Sequence, residues 1–298
     1  MTLNETIYLA ASCNIEKVLF PFFQLNYVKK KVKGQSAALY TCLYVTNDCV
    51  NDCGYCGFRR SNDALERITL TLDQIREEAE AIRESGVTNA ILIGGTLPEE
   101  SYKQLIIDGT KAVLETGLFP WIEFENLSPD TLRELHDIGA DHFILFQETY
   151  DAEKFERAHR NSPLKRDFDT RIHKMDEALE AGFGNLGIGS LFGLSGENDL
   201  EIGGLYRHAS YLQSKGANVC VSVPTLKPAL GLSISDNRVS QYELERILLT
   251  LRLSLPKVSL ALSGREDANF RDRFFKVVDQ VGSGGVTNPG GRSAYKQE

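Results

Sequence analysis

Residues 38–56 read ALYTCLYVTNDCVNDCGYC: an apolar, β-branched run that gives way to three cysteines. The run over 38–45 has the composition of a buried strand. The loop after it carries Cys49, Cys53 and Cys56, half of the six cysteines in the chain. Outward from this stretch the same texture returns. Short apolar runs lie at 89–93, 121–124, 142–146, 185–190, 218–223, 258–262 and, more weakly, 285–287. Segments of helical period lie between them, at 72–85, 102–116, 129–137, 168–181, 200–215, 241–254 and 270–281. Several of these helices carry boundary signals. Thr71 with Gln74 reads as a capping box, and Ser128-Pro129 as an N-cap followed by proline at the first helical position. Gly86, Gly117, Gly139, Gly182 and Gly216 stand just past helix ends, where a left-handed residue is wanted.

Strands that alternate with helices build a parallel sheet. Eight such units in 298 residues predict an α/β fold of the closed (β/α)8 TIM-like barrel type, over 38–298. Residues 1–37 are expected to form a short helical preface. Barrels of this kind place their chemistry at the C-terminal ends of the strands. The three cysteines sit at such an end.

The bulk properties exclude several classes. The chain is 42% hydrophobic and 25% charged, with a net charge of −8, which offers no overall attraction to nucleic acid or an anionic membrane. No apolar run approaches the roughly 18 residues of a membrane span. The N-terminus lacks the pattern of a signal peptide, so a cytoplasmic location is expected. There thiols stay reduced, and clustered cysteines indicate a metal or a redox reaction instead of disulfides.

Three readings of the cysteines compete. A structural zinc site wants four ligands, but only one Cys-x-x-Cys pair is present, and Cys13, Cys42 and Cys220 are scattered. A thioredoxin-type pair opens a helix in a small βαβ domain, which this long loop does not match. An iron–sulfur cluster held by three thiolates keeps one iron free of protein, and an open position admits a small molecule.

Cys49-x3-Cys53-x2-Cys56, with Tyr55 before the last cysteine, resembles the signature of the radical S-adenosylmethionine (SAM) superfamily. The likeness extends along the chain. Leu43–Asp48, Gly57-Phe58 and Arg60-Ser61-Asn62 resemble the aromatic amino acid lyase branch, which contains 2-iminoacetate synthase (a tyrosine lyase) and tryptophan lyase. So do Phe146-Gln-Glu-Thr-Tyr150, Asp167-Phe168 with Arg171, Leu186–Leu194, Ser222-Val-Pro, Ser263-Gly-Arg265-Glu266 and Thr287-Asn-Pro-Gly-Gly291. The resemblance implies a [4Fe–4S] cluster on Cys49, Cys53 and Cys56, with SAM on the open iron. It implies SAM contacts from Tyr55, from the Gly94-Gly95-Thr96 loop, from Glu123 and Glu148, and from Arg171, whose fork suits a carboxylate. Plain readings stand beside these: a tight turn at the glycines, and a surface ion pair between Arg171 and Asp167. For the acid on the third strand, the solvated reading falls to Glu125 and the buried one to Glu123. Arg265, with Ser263 beside it, is the candidate for gripping the substrate carboxylate; its plain reading is an ion pair with Glu266 or Asp267. Arg271 and Arg273 read as surface or interhelical partners, and His159, His173 and His208 as structural.

The implied activity is reductive cleavage of SAM and Cα–Cβ cleavage of an aromatic amino acid, tyrosine giving 2-iminoacetate and p-cresol. The implied partners are the small-molecule substrate, an external electron donor such as flavodoxin or ferredoxin, and a product-accepting protein, with no nucleic acid and no membrane. Two departures keep other substrates in view. The closing motif reads Pro289-Gly-Gly-Arg292 where the lyases have tyrosine at the last position. No cysteine-bearing C-terminal extension follows, so carbon monoxide and cyanide production is not expected. A radical SAM enzyme acting on a hydrogenase cofactor precursor is the alternative, and a non-catalytic iron–sulfur electron carrier or scaffold is a further one.

Overall fold

The structure, a computed structural model, describes residues 37–232 and 239–294. The expected helical preface lies outside the described residues, apart from Ala37. The elements run β1 (Ala38–Thr46), α1 (Leu72–Glu84), β2 (Asn89–Gly94), α2 (Glu99–Glu115), β3 (Phe119–Glu123), α3 (Pro129–Asp137), β4 (His142–Ile144), α4 (Ala152–His159), α5 (Phe168–Glu180), β5 (Asn185–Gly189), α6 (Asn198–Ser214), β6 (Asn218–Ser222), α7 (Gln241–Ser254), β7 (Ser259–Leu262), α8 (Ala268–Phe274), β8 (Gln280–Gly282) and α9 (Gly291–Ala294). Each strand pairs in parallel with the next, and β8 pairs with β1, which closes the barrel.

The local signals hold. Thr71 and Gln74 form a reciprocal capping box, and Ser128 accepts the Thr131 N–H at 3.3 Å. The five helix-end glycines all have positive φ. Outward-facing strand residues Leu43, Leu92, Ile122, Phe143, Leu186 and Leu260 are buried against apolar helix residues such as Ile75, Ile106, Leu132, Leu205 and Leu248. This shell between sheet and helices is the core.

Two expectations fail. The last strand is not at 285–287 but at Gln280–Gly282, and the helix expected over 270–281 ends at Phe274. Val277, Val278 and Val281 continue a helical apolar spacing, but Asp279 anchors the chain to the sheet instead. Its N–H donates to Leu260 O at 2.9 Å, and its carboxylate accepts the Leu260 N–H at 3.0 Å and pairs with Arg252. Helix α4 has no counterpart among the expected elements. Its signal was the N-cap Asp151, which accepts the Lys154 N–H at 3.0 Å.

Most barrels of this type fill their interior with layers of branched side chains. Here the inward positions differ between the two halves. The β1–β4 half supplies bulk, with Tyr44, Ile93, Trp121 and Phe146. The β5–β8 half supplies Gly187, Ala261, Gly282 and Gly284. A cavity of about 240 Å³ lies inside the barrel between these walls.

Candidate active site

The loop after β1 starts from a break in register between Tyr44 and Thr46, which turns the chain out of the sheet. It is then held from several sides. Asn47 donates to Glu66 O at 2.8 Å and accepts the Ile68 N–H at 2.7 Å. The Arg67 guanidinium donates to Asn47 O, Phe58 O and Arg59 O at 2.7–2.9 Å. Asn62 donates to Gly57 O and Leu230 O at 2.7 and 2.8 Å. These contacts satisfy backbone groups that an irregular loop would otherwise bury unpaired.

The three sulfurs sit within this frame. Cys49 Sγ accepts the Thr96 N–H at 3.3 Å, Cys56 Sγ accepts the Phe58 N–H at 3.4 Å, and Cys53 Sγ lies 3.3 Å from Ser162 Oγ. Burial raises Cys53 and pushes Cys56 up to about 12, the latter helped by Cys53 and, more weakly, Cys49. Among the described residues, no three His, Cys, Asp or Glu side chains gather around a point that would hold one metal ion. Three cysteines gathered in one loop, two of them with an N–H aimed at sulfur, are a donor set that an iron–sulfur cluster accepts. N–H groups aimed at sulfur fit the same reading, since they support a thiolate once its proton is displaced.

The glycines after β2 are committed to this loop. A Cβ on Gly95 would lie 1.9 Å from Asp48 O, so only glycine lets the two backbones pass. Val50 N–H donates to Thr96 O at 2.9 Å, and Thr96 Oγ1 donates to Glu125 Oε2 at 3.4 Å.

A group of charges lies beside Cys53 and Tyr55. Glu148 stands past β4 with φ of 72°, a left-handed conformation that a side-chain-bearing residue adopts only when its surroundings impose it. Its carboxylate receives Lys165 Nζ at 2.6 Å and Arg171 Nη2 at 3.4 Å. Arg171 also pairs with Glu125 and donates from Nε to Phe146 O at 2.6 Å. Arg171 is 6% exposed. It does not form the surface pair with Asp167, which caps α5 by accepting the Thr170 N–H. Glu125 is likewise not solvated: its side chain is 11% exposed and faces Arg171. Burial alone would raise Glu148, but Lys165 and Arg171 outweigh it and hold the carboxyl below its ordinary range. Burial and Arg171 push Lys165 down, and Glu148, Glu125 and Cys53 more than restore it. Lys165 and Glu125 are the members that the sequence expectations missed. Lys165 lay in a polar stretch without period or motif.

Tyr55 hydrogen-bonds His159 Nε2 through its hydroxyl at 2.9 Å, and Lys165 Nζ lies 5.7 Å from the centre of its ring. Burial lowers His159 to about 3, which keeps it neutral and structural, as expected. His208, bonded to Tyr150 at 2.9 Å, is structural too.

Glu123 and Arg265 belong to the barrel cavity, along with Ser263. Burial, then Glu148, raise Glu123 to about 8 against the opposing pull of Lys165 and Arg171. The alternative partners of Arg265 are engaged elsewhere. Glu266 accepts from Thr225 Oγ1 at 2.6 Å and Lys227 Nζ at 2.8 Å, and Asp267 caps α8. Among the described residues, the Arg265 guanidinium has no ion-pair partner. Ser263 Oγ accepts the Arg265 N–H at 3.2 Å and fixes the start of this turn. Arg273 pairs with Glu245 between α8 and α7, as expected, while Arg271 donates to Gly282 O at 2.9 Å. Arg292, the residue that departs from the lyase motif, donates to Thr41 Oγ1 and to Gly284 O at 3.2 Å.

Comparisons with known proteins agree with this layout. Residues 43–209 match the radical SAM superfamily, and residues 222–288 match the Biotin and Thiamin Synthesis associated domain. The chain is similar to 2-iminoacetate synthase of Escherichia coli, at 32% identity over 261 residues, covering 87% of this chain and 69% of that protein. It is similar to 3-methylornithine synthase of Methanosarcina acetivorans, at 27% identity over 250 residues, covering 80% and 67%. The solved structure of the FeFe-hydrogenase maturase HydG from Carboxydothermus hydrogenoformans superposes with a TM-score of 0.88 at 32% identity, covering 98% of this chain and 69% of that one.

Proposed function

This chain belongs to the radical SAM superfamily, and on that premise we propose that it is a carbon–carbon lyase that divides tyrosine between Cα and Cβ into 2-iminoacetate and p-cresol. Together the two fragments carry the atoms of tyrosine, provided that the hydrogen atom lost to 5′-deoxyadenosine is made good on the cresol fragment by a proton and one further electron from the external donor. Enzymes of this superfamily use a [4Fe–4S] cluster and SAM, which when bound supply a 5′-deoxyadenosyl radical that removes a hydrogen atom from the substrate.

The residues take separate tasks. Cys49, Cys53 and Cys56 hold the cluster and leave one iron for SAM. Arg171 offers its fork to the SAM carboxylate, and Glu148 accepts hydroxyl or ammonium hydrogens, with Tyr55 and the Gly94-Gly95-Thr96 backbone lining the same place. Their mutual pairing holds these charges in place, and SAM would take up the remaining N–H groups and acceptor positions of Arg171 and Glu148. Arg265 holds the carboxylate of the amino acid, positioned through Ser263. The cavity walls keep water from reactive intermediates. An external electron donor of the flavodoxin or ferredoxin kind would serve the cluster, and a cytoplasmic setting fits such a donor.

The observation that carries this reading is the Arg265 guanidinium, unpaired among the described residues, at a cavity with Tyr44, Trp121 and Phe146 in its walls. A fork for a carboxylate over an aromatic-lined hollow is the complement of an aromatic amino acid. The test is 5′-deoxyadenosine formation by anaerobic, reduced holoenzyme with tyrosine, with tryptophan, and with neither. Tyrosine should raise the yield well above both other reactions. Stimulation by neither amino acid would direct the search to another small molecule, such as a cofactor precursor.

A further inference from the structure

Among the described residues, Arg265 and Glu123 are the charged side chains of the cavity wall without a hydrogen-bond or ion-pair partner. In a closed barrel of eight strands, β3 and β7 are four strands apart in either direction and so face each other across the interior. Glu123 is the last residue of β3, and Arg265 follows β7 in the next turn. Both line the same cavity. The neighbouring carboxylates Glu125 and Glu148 are occupied by Arg171 and Lys165. Among the described residues, the Glu123 carboxyl has no hydrogen-bond or ion-pair partner.

The two groups come from opposite walls of the barrel. The α-ammonium of an amino acid sits one carbon from its carboxylate, too close to reach Glu123 while Arg265 holds the other end. A ligand that meets both groups must be long and must end in a hydrogen-bond donor. The same cavity has Tyr44, Ile93, Trp121 and Phe146 in its walls.

We propose that Glu123 is the specificity-determining residue of this site, accepting the phenolic hydrogen of tyrosine while Arg265 holds the carboxylate at the opposite rim. The proposal rests on the tyrosine reading above and moves Glu123 from the SAM site, where the family resemblance had put it, to the substrate. A carboxyl that burial keeps largely protonated near neutral pH still presents an acceptor oxygen. Without the hydroxyl, that oxygen stays buried and unpaired, which costs phenylalanine roughly 10- to 100-fold in affinity.

The test is equilibrium binding to anaerobic holoenzyme with SAM and no reductant, so that nothing turns over. Wild type should bind tyrosine roughly 10- to 100-fold more tightly than phenylalanine, and 4-aminophenylalanine, which keeps a para donor, nearer to tyrosine. Glu123→Leu should bring tyrosine and phenylalanine within about twofold, by removing the unpaired acceptor, while SAM affinity stays as in wild type. Glu123→Gln, which keeps an acceptor, should retain most of the preference. A tyrosine preference intact in Glu123→Leu overturns the proposal, and does so alone if wild type still forms p-cresol. Loss of SAM binding in Glu123→Leu returns the residue to the SAM site and also overturns it. The two ligands binding equally to wild type overturns it without any variant. Wild type that neither binds tyrosine nor forms p-cresol removes the lyase reading as well.

Discussion

Arg265 and Lys165 are both cations at the C-terminal rim of the barrel, yet they carry opposite expectations. Arg265 is exposed and unpaired among the described residues, so its charge costs the fold little and is available to a ligand. Arg265→Ala should weaken tyrosine binding about 10- to 100-fold, read by titration of the holoenzyme, and leave SAM binding unchanged. Arg265→Lys should restore only part of the loss, because a point charge does not replace a planar fork. Lys165 is the reverse case, mostly buried and clamped on Glu148 at 2.6 Å. Lys165→Met would strand the Glu148 carboxylate with only the longer Arg171 contact. The cost should be about 3–5 kcal/mol in chemical denaturation at neutral pH. Because the pairing depresses Glu148, the stability it supplies is present above the ordinary carboxylate range and is lost as pH falls through the depressed value. The difference between Lys165→Met and wild type should therefore shrink towards acidic pH, where Glu148 takes up its proton. A difference that stays constant with pH would mean that Lys165 matters through packing alone.

At the scale of elements, the loops after β1 and β2 act as one unit. Gly95 allows them to touch, and Thr96 N–H is aimed at Cys49 Sγ. Gly95→Ala should push Asp48 away and disturb the donor set. Iron affinity should fall by roughly 10–100-fold, measured as iron retained against a chelator, with the far-ultraviolet circular dichroism of the barrel preserved. Much of this level was legible in the sequence, because its causes are local. The capping box at Thr71, the proline after Ser128 and the apolar runs of the first seven strands act within a few residues. Where the sequence misled, the cause was distant. Val277 and Val278 carry a helical spacing, and only the pairing of Asp279 with β7 and Arg252 turns this segment into the approach to β8. Helix α4 is a single amphipathic stretch of eight residues, too short for its period to stand out. In the charge group, Glu125 and Lys165 are the clearest illegible features. Glu125, Glu148, Lys165 and Arg171 come from the ends of two strands and from the segment around α5. Nothing local to Glu125 distinguishes it from a solvated acid.

Across the whole molecule, function follows from an uneven barrel. The shell between sheet and helices is packed with aliphatic and aromatic residues, and it carries the stability. The interior is left free of that duty. The β5–β8 half carries Gly187, Ala261, Gly282 and Gly284 where such barrels elsewhere hold branched residues, and Gly187 and Gly282 are packed against Ile144 and the Gly264 backbone. The two family matches, over 43–209 and 222–288, meet in this one closed sheet. The first spans the cysteine loop, Glu123 and the charge group around Arg171; the second spans Arg265. The central claim is that this cavity commits tyrosine to Cα–Cβ cleavage. The most direct measurement is mass spectrometry of one anaerobic reaction of reduced holoenzyme, SAM and ring-labelled tyrosine. Labelled p-cresol that accumulates in step with 5′-deoxyadenosine is the predicted result. 5′-Deoxyadenosine that depends on tyrosine but comes without labelled p-cresol would contradict it.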